Sequence, residues 1–423
     1  MRGDVGAPGL DTGPAAGVAA GRRPFAGKRI VLGVTGGIAA YKVVQLARDL
    51  ALMGADVDVV MTRAAQSFVG PITFEALTGR PVHAEILAQG HALDHIRLAK
   101  AADLVCVAPA TADFIARAAA GRADDLLAAT VLATRAPVVV CPAMNDGMWA
   151  HPQTQANVER LRDIGYTIVG PATGALALGE GSGPGRLEEP ATILAHLGRA
   201  LGGDAAWAGR RVVVTAGPTR EPVDAVRVIS NRSSGRMGFA IAAAAWQRGA
   251  DVLLIAGPTS APLPVGPEIQ RVESVAAMRD AVAAALPDAD ALFMAAAPAD
   301  FTAAEPAAGK IKKGSAPAAL ALAPAPDILK STRDARREGA VIVGFALETG
   351  DGRDYARAKL TEKGLDIVVL NSADEPGAGF DVATNRVTVF DRNGGEDALP
   401  LMSKDDVADA LLDRAAPLLP VRQ

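Results

Sequence analysis

Arg29-Ile30-Val31-Leu32-Gly33-Val34-Thr35-Gly36-Gly37-Ile38-Ala39-Ala40-Tyr41-Lys42 decides the fold. The first six residues are an apolar run of the length of a buried strand, Thr35-Gly36-Gly37 makes a tight turn, and an Ala-rich helical pattern runs from Ile38 to Met53. The same rhythm predicts strands at Asp56 to Met61, Leu104 to Ala108 and Pro137 to Cys141, with helical stretches at Asp94 to Ala101 and Asp124 to Thr134. Short apolar strands alternating with helices specify a parallel sheet covered on both faces.

The second half reopens this pattern. Ala208-Gly209-Arg210-Arg211-Val212-Val213-Val214-Thr215 echoes Ala26-Gly27-Lys28-Arg29-Ile30-Val31, and Gly249-Ala250-Asp251-Val252 echoes Gly54-Ala55-Asp56-Val57. Ala297-Pro298-Ala299-Asp300-Phe301 resembles Ala108-Pro109-Ala110-Thr111-Ala112-Asp113-Phe114. Common descent and convergence would both produce such turns, but the long spacing excludes a solenoid. The expected architecture is α/β, two doubly wound, mostly parallel Rossmann-like domains in tandem. A flexible leader is expected at 1–27, the first domain at 28–200, a linker at 201–209 and the second domain at 210–423.

The chain has 423 residues, of which 50% are apolar and 21% charged, ordinary values for globular domains. With 43 Lys+Arg against 47 Asp+Glu there is no basic excess to neutralise phosphates, so nucleic acid is not an expected partner. Two cysteines, Cys106 and Cys141, are too few for a disulfide framework and point to a reducing cytoplasm. Nor is a membrane partner expected, since no apolar run reaches the roughly 18 residues of a membrane span.

Residues 33–42 bring small side chains to a strand-to-helix turn, where N–H groups can approach a phosphate; a plain tight turn is the alternative. Residues 109–113 lie at the same carboxyl edge of the sheet, where open α/β folds bind ligands. His95 stands near the start of a short helix, whose positive end favours a neutral imidazole, although a lone histidine is ordinarily structural. Asn145, in Pro142-Ala143-Met144-Asn145-Asp146-Gly147-Met148-Trp149, follows a buried strand and offers donors and acceptors for a carboxylate or amide; a Pro-Asn turn is its bland reading.

In order and spacing, these four motifs together resemble the family of flavin-dependent cysteine decarboxylases. The resemblance implies bound FMN that oxidises a substrate cysteine thiol to a thioaldehyde, after which carbon dioxide leaves. It implies His95 as base, Asn145 as holder of the substrate carboxylate, and Gly36, Gly37, Thr62, Thr111 and Ala112 facing the flavin. A homo-oligomer is implied too, because the family builds its flavin sites between subunits.

In the second half Asn231-Arg232-Ser233-Ser234-Gly235-Arg236-Met237-Gly238 precedes an Ala-rich helix, and Arg220, Arg227, Arg232 and Arg236 crowd the same stretch. A phosphorylated substrate would suit them, against the alternative of a solvated arginine face. Lys310-Ile311-Lys312-Lys313 lies in a loop rich in Ala, Pro and Gly, fit for a mobile flap or for plain solvation. With residues 215–222 and 326–329, these motifs resemble phosphopantothenate–cysteine ligases. The whole chain thus resembles the bifunctional bacterial enzymes of coenzyme A biosynthesis.

That resemblance implies that 4′-phosphopantothenate is activated by CTP as an acyl-cytidylate, coupled to cysteine, and decarboxylated to 4′-phosphopantetheine, with Mg2+ on the triphosphate. Met294, Ala295, Ala296, Asp300, Pro326, Asp327, Ile328, Leu329 and Phe345 would surround the nucleotide. Lys310, Lys359 and Lys363 would supply cations, and Asn231 would stabilise the acyl-cytidylate; the metal ligands stay unassigned. One departure stands out. The family's substrate flap carries a cysteine that donates a proton in the last reduction, and Leu178 occupies its place in Leu176-Ala177-Leu178-Gly179-Glu180. Glu180, Cys141 and water are the candidate substitutes, with Glu180 preferred because flap closure would desolvate its carboxyl. The alternative is an active ligase whose decarboxylase half is impaired or serves as a regulatory flavoprotein. An NAD-dependent oxidoreductase is disfavoured, since neither half has the G-x-G-x-x-G turn.

Overall fold

The computed structural model describes residues 24–86, 93–176, 179, 181–312, 319–372 and 382–421. In the first half, β1 (Arg29–Val34), β2 (Asp56–Met61), β3 (Leu104–Ala110), β4 (Val138–Pro142) and β5 (Thr167–Ile168) form one sheet. Its order is β2-β1-β3-β4-β5, all parallel. Helices α1 (Ala40–Leu52), α2 (Pro71–Thr78), α3 (Asp94–Ala101), α4 (Ala112–Ala119), α5 (Leu126–Ala133), α6 (Asp146–Ala150), α7 (Pro152–Asp163) and α8 (Pro190–Leu201) surround it. A hairpin of β6 (Ala172–Ala175) and β7 (Ser182–Arg186) leaves the sheet.

Strand β1 shows why both faces must be covered. Ile30, Leu32 and Val34 pack with Leu46 and Leu50 of α1 and Leu197 of α8, whereas Val31 packs with Phe114, Leu127 and Val158 on the other face. Alternate side chains of one strand point to opposite faces, so an unbroken apolar run needs two layers of helix.

The second half contains β8 (Arg211–Ala216), an arm of β9 (Arg220–Pro222) and β10 (Val228–Ser230), then β11 (Asp251–Ala256), β12 (Glu268–Arg271) and β13 (Ala291–Met294). A second arm, β14 (Phe301–Ala303) with β15 (Leu322–Pro324), precedes β16 (Val341–Glu348), β17 (Ile367–Ser372), β18 (Thr384–Asn385), β19 (Val387–Asp391) and β20 (Glu396–Ala398). The main sheet runs β12-β11-β8-β13-β16-β17-β19-β20, parallel as far as β17 and antiparallel beyond it. Helices α9 (Arg236–Gln247), α10 (Val275–Ala285), α11 (Ile328–Ser331), α12 (Arg353–Glu362) and α13 (Lys404–Ala415) cover it.

The echo between the halves extends to single hydrogen bonds. Asp56 N–H donates to Lys28 O and Asp251 N–H to Arg210 O, both at 2.8 Å. Asp103 accepts from Arg29 N–H at 2.8 Å, and Asp290 accepts from Arg211 N–H at 2.9 Å. In the first half β1 lies between β2 and β3, and in the second β8 lies between β11 and β13, so in each the chain crosses to the other side of its first strand there and opens a crevice at the carboxyl edge.

Two boundary expectations need adjustment. Packing begins before Lys28, because Phe25 is buried against the first core. The linker expected at 201–209 is itself packed: Trp207 is fully buried, 6.2 Å from the Phe293 ring. Arg199 of α8 reaches into the second half, donating to Trp246 O and, at 3.1 Å, to Ala250 O. Among the described residues no helix is long and apolar enough to cross a membrane.

Candidate functional site

At the edge of the first sheet the two turns are one unit. Thr35 Oγ1 donates to Pro109 O at 2.6 Å and accepts from Thr111 N–H at 3.1 Å. Thr111 then caps α4, its Oγ1 accepting from Phe114 N–H at 3.3 Å, so Ala112 opens the helix. Gly37 lies opposite, where a Cβ would sit 3.8 Å from Thr111 Cγ2. Gly36 has no such room: a Cβ there would meet Ala64 Cβ at 2.4 Å. The structure thus brings Gly36, Gly37, Thr111 and Ala112 to one edge. Thr62 closes β2 beside them, its N–H donating to Val34 O at 3.0 Å, while its hydroxyl accepts from Ala65 N–H. This cradle of glycines and a helix start fits the phosphate end of a flavin nucleotide.

His95 stands in the first turn of α3, half-buried, and its Nδ1 is buried with no hydrogen-bond partner among the described residues. Asn145 caps α6, its Oδ1 accepting from Gly147 N–H at 2.8 Å. That bond fixes the carboxamide with Nδ2 left to donate, the polarity a carboxylate ligand requires.

The β6–β7 hairpin docks on the Asn145 loop. Met144 N–H donates to Gly185 O at 2.9 Å, and a Cβ on Gly185 would lie only 2.1 Å from Met144 O. No side chain fits there. Gly185→Ala is therefore expected to lift the hairpin from the loop and to lower the decarboxylation that the resemblance implies at least tenfold, about the cost of a 1.4 kcal/mol misfit. Ligation should be untouched; rates of carbon dioxide and diphosphate release on one preparation check both.

Glu180, the preferred proton donor, lies outside the described residues. Cys141 is fully buried in the core beside Cys106. A hydrogen bond with Cys106 and then burial hold its thiol well above the usual range. Cys141 thus behaves as a small core residue and makes a poor proton donor.

In the second half a cleft of about 660 Å³ opens at the carboxyl ends of β13, β16 and β17. Asn231, Met294, Ala295, Ala296, Asp300, Pro326, Asp327, Ile328, Leu329, Phe345, Lys359 and Lys363 all line it. Lys310 does not. It is exposed on a loop whose next residue, Ile311, donates its N–H to Asp224 Oδ2 at 3.1 Å and accepts from Arg227. The Arg227 guanidinium, with three backbone N–H groups, holds the Asp224 carboxyl far below its ordinary range, so the loop base is firmly anchored.

Backbone shape explains the cleft floor. Gly235 caps α9 at φ +75°, and α9 crosses β8 so closely that a Cβ on Gly238 would lie 2.5 Å from Ala216 Cβ. The N-terminus of α9 therefore presents Ser233, Ser234 and Arg236 to the cleft. Asn231 Nδ2 donates to Pro298 O at 2.9 Å, which holds its amide against the turn after β13. Lys359 Nζ donates to Phe345 O at 2.6 Å; burial, then nearby Lys363, lowers its pKa. Lys363 lies 3.0 Å from Asp327. Burial pushes the Asp327 carboxyl up, but the bonds from Lys363 and Lys330 N–H outweigh it and hold the group below its usual range.

Glu348, Tyr355, Asn371, Asn385 and Lys404 also line the cleft, and sequence reasoning missed them. Asn371 lies near the end of the apolar run that forms β17, at the carboxyl edge where open α/β folds bind ligands, a signal that could have found it. Lys404 begins a helix far along the chain, and nothing local marks it.

The family described as "Flavoprotein" matches residues 20–201, and that described as "DNA/pantothenate metabolism flavoprotein C-terminal domain" matches 207–418. The "Coenzyme A biosynthesis bifunctional protein CoaBC" of Vibrio cholerae is 45% identical over 392 residues, covering 92% of this chain and 98% of its own. Its counterpart in Mycolicibacterium smegmatis is 48% identical over 409 residues, covering 93% and 98%. Among solved structures, the C-terminal domain of a CoaBC protein covers 51% of this chain and 98% of its own at 33% identity and TM-score 0.44. With both halves matched in order and near-complete alignment to these relatives, the chain belongs to the family of bifunctional coenzyme A biosynthesis proteins CoaBC.

Proposed function

We propose that this chain couples 4′-phosphopantothenate to cysteine in residues 210–423 and decarboxylates the product in residues 28–200, using CTP, Mg2+ and FMN. The observation that carries the reading is the cleft, where the α9 N-terminus and Arg236 face Lys359 and Lys363 across one cavity large enough for a nucleotide and a phosphorylated acid.

In ligation the substrate carboxylate attacks the α-phosphorus of CTP and diphosphate leaves. The cysteine amine then attacks the acyl carbon, loses a proton and displaces CMP. Lys359 and Lys363 neutralise phosphate charge from one side, and Asn231, held by Pro298 O, donates toward the acyl-cytidylate. Mg2+ would enter bound to the triphosphate, neutralising its charge, as the resemblance implies.

In the decarboxylase half, Gly36, Gly37, Thr111 and Ala112 would hold FMN, with Thr62 beside them. When bound, FMN supplies the two-electron oxidation of the thiol and its reversal. His95 accepts the thiol proton, Asn145 Nδ2 orients the carboxylate that departs, and the hairpin excludes water. Glu180 remains the candidate donor of the last proton in place of the family's cysteine. Exposed Ile38 and Tyr41 beside the glycine turn suit a homo-oligomer, and the reducing cytoplasm suits both thiols.

Mass spectrometry of products from 4′-phosphopantothenate, cysteine, CTP and Mg2+, with and without FMN, tests the whole reading. Phosphopantetheine is expected only with flavin, and phosphopantothenoylcysteine without it. ATP supporting ligation as well as CTP would overturn the nucleotide assignment, and accumulation of an oxidised enethiol would show the last proton transfer to be impaired.

A further inference from the structure

A helix start has N–H groups without partners inside the helix and frays unless something ties it down. The first turn of α3, which carries His95, is tied by the residue before it. Asp94 is buried although its neighbour Leu93 is 70% exposed, and its carboxylate meets His83 and Arg97 among the described residues. His83 Nδ1 lies 3.3 Å from Oδ2, and Arg97 Nε donates to Oδ1 at 3.2 Å.

Arg97 belongs to the same helix, but His83 does not. His83 is stitched to the edge of the first sheet, its N–H donating to Val59 O at 2.9 Å and its carbonyl accepting from Met61 N–H at 2.8 Å. Thr62 follows directly and joins the glycine turn through Val34 O. A continuous path therefore leads from the flavin cradle along β2 to His83, across to Asp94, and on to His95. Burial, opposed by Asp94, lowers the His83 pKa; the neutral ring still donates through Nδ1–H. The far end of α3 is held separately, by Thr134 Oγ1 donating to Ala99 O at 3.1 Å.

We propose that His83, acting through Asp94, is a positioning residue of the decarboxylase half: it fixes the first turn of α3 to the sheet edge and so sets the place of His95. The inference rests on His95 being the base. A misplacement of about 1 Å can reduce turnover by as much as 10²-fold, and a loosened turn would produce one.

The test uses the full-length, flavin-loaded protein. His83→Phe keeps ring volume without the donor, whereas His83→Asn places Nδ2 near the position of Nδ1. His83→Phe should lower kcat for carbon dioxide release by about 10- to 10²-fold, leaving KM and the ligation rate almost unchanged. His83→Asn should recover most of the loss, a rescue that ring packing alone would not give. Unchanged kcat in His83→Phe overturns the proposal, as does equal loss in both variants or an effect confined to KM. If His83→Phe fails to retain flavin, Asp94→Ala replaces it, with reduced kcat expected and unchanged kcat again overturning the proposal. His95→Asn is run in parallel: full activity there defeats the base assignment itself, whereas an inactive His95→Asn beside a fully active His83→Phe defeats only the positioning role.

Discussion

His95→Asn is expected to purify yellow and to release carbon dioxide about 10²- to 10⁴-fold more slowly than the unmodified protein, the range that a positioned general base contributes. The flavin should stay because the glycine turn and the Thr35–Pro109–Thr111 linkage are built without the imidazole. The chemistry should go because asparagine keeps polarity and approximate size but cannot accept a proton at neutral pH. A histidine kept for structure would use its ring nitrogens in the fold; here Nδ1 is buried with no hydrogen-bond partner among the described residues, whereas nearby His83 is bonded to Asp94. Flavin absorbance and carbon dioxide release on the same sample decide it. A colourless protein would make His95 a packing residue, and an unchanged rate would remove it from the mechanism.

The strands of the first half were legible because burial on both faces leaves apolar runs that polar turns must interrupt. Expected and observed limits agree for Asp56–Met61, and β3 runs on to Ala110 because that residue pairs with Pro142 of β4 past a shift in register, a long-range contact. The helix after the glycine turn starts at Ala40 rather than Ile38, since Ala40 N–H still donates back to Gly37 O within the turn. The antiparallel end of the second sheet was not legible. Val387–Asp391 reads like any short strand, and its direction is set by pairing with Ile367–Ser372, a long-range fact. Sites followed the same division. Residues within one turn, such as Gly36 and Thr111, announced themselves by composition. Pairs such as His83 with Asp94, and cleft residues such as Asn385 and Lys404, depend on elements brought together only by folding. Cys141 shows how a local reading leaves two roles open: its place before the Asn145 loop made it a second candidate donor beside the reading as a small core residue, and burial beside Cys106 favours the core residue.

Lys310→Gln is expected to slow ligation by about 10²- to 10³-fold, the usual effect of removing one donor aimed at developing charge, while decarboxylation continues normally. Its position makes the prediction sharper than charge alone would. Lys359 and Lys363 line the cleft, where the proposed function has them meet the nucleotide as it binds, but Lys310 is exposed outside the lining, on a loop anchored at Asp224 and Arg227. From outside the lining, Lys310 is expected to meet phosphate by a movement that follows nucleotide binding. An interaction formed on closure stabilises the transition state more than the first complex, so turnover should fall much further than CTP affinity. Steady-state diphosphate release and a CTP binding titration on the same variant separate the two. Equal loss of affinity and turnover would mean that Lys310 already touches the nucleotide on binding, and unchanged turnover would leave it a solvated lysine. A parallel fall in carbon dioxide release from added phosphopantothenoylcysteine would show that the two sites are not independent, which the short, packed connection through Arg199 and Trp207 makes worth measuring in the intact chain.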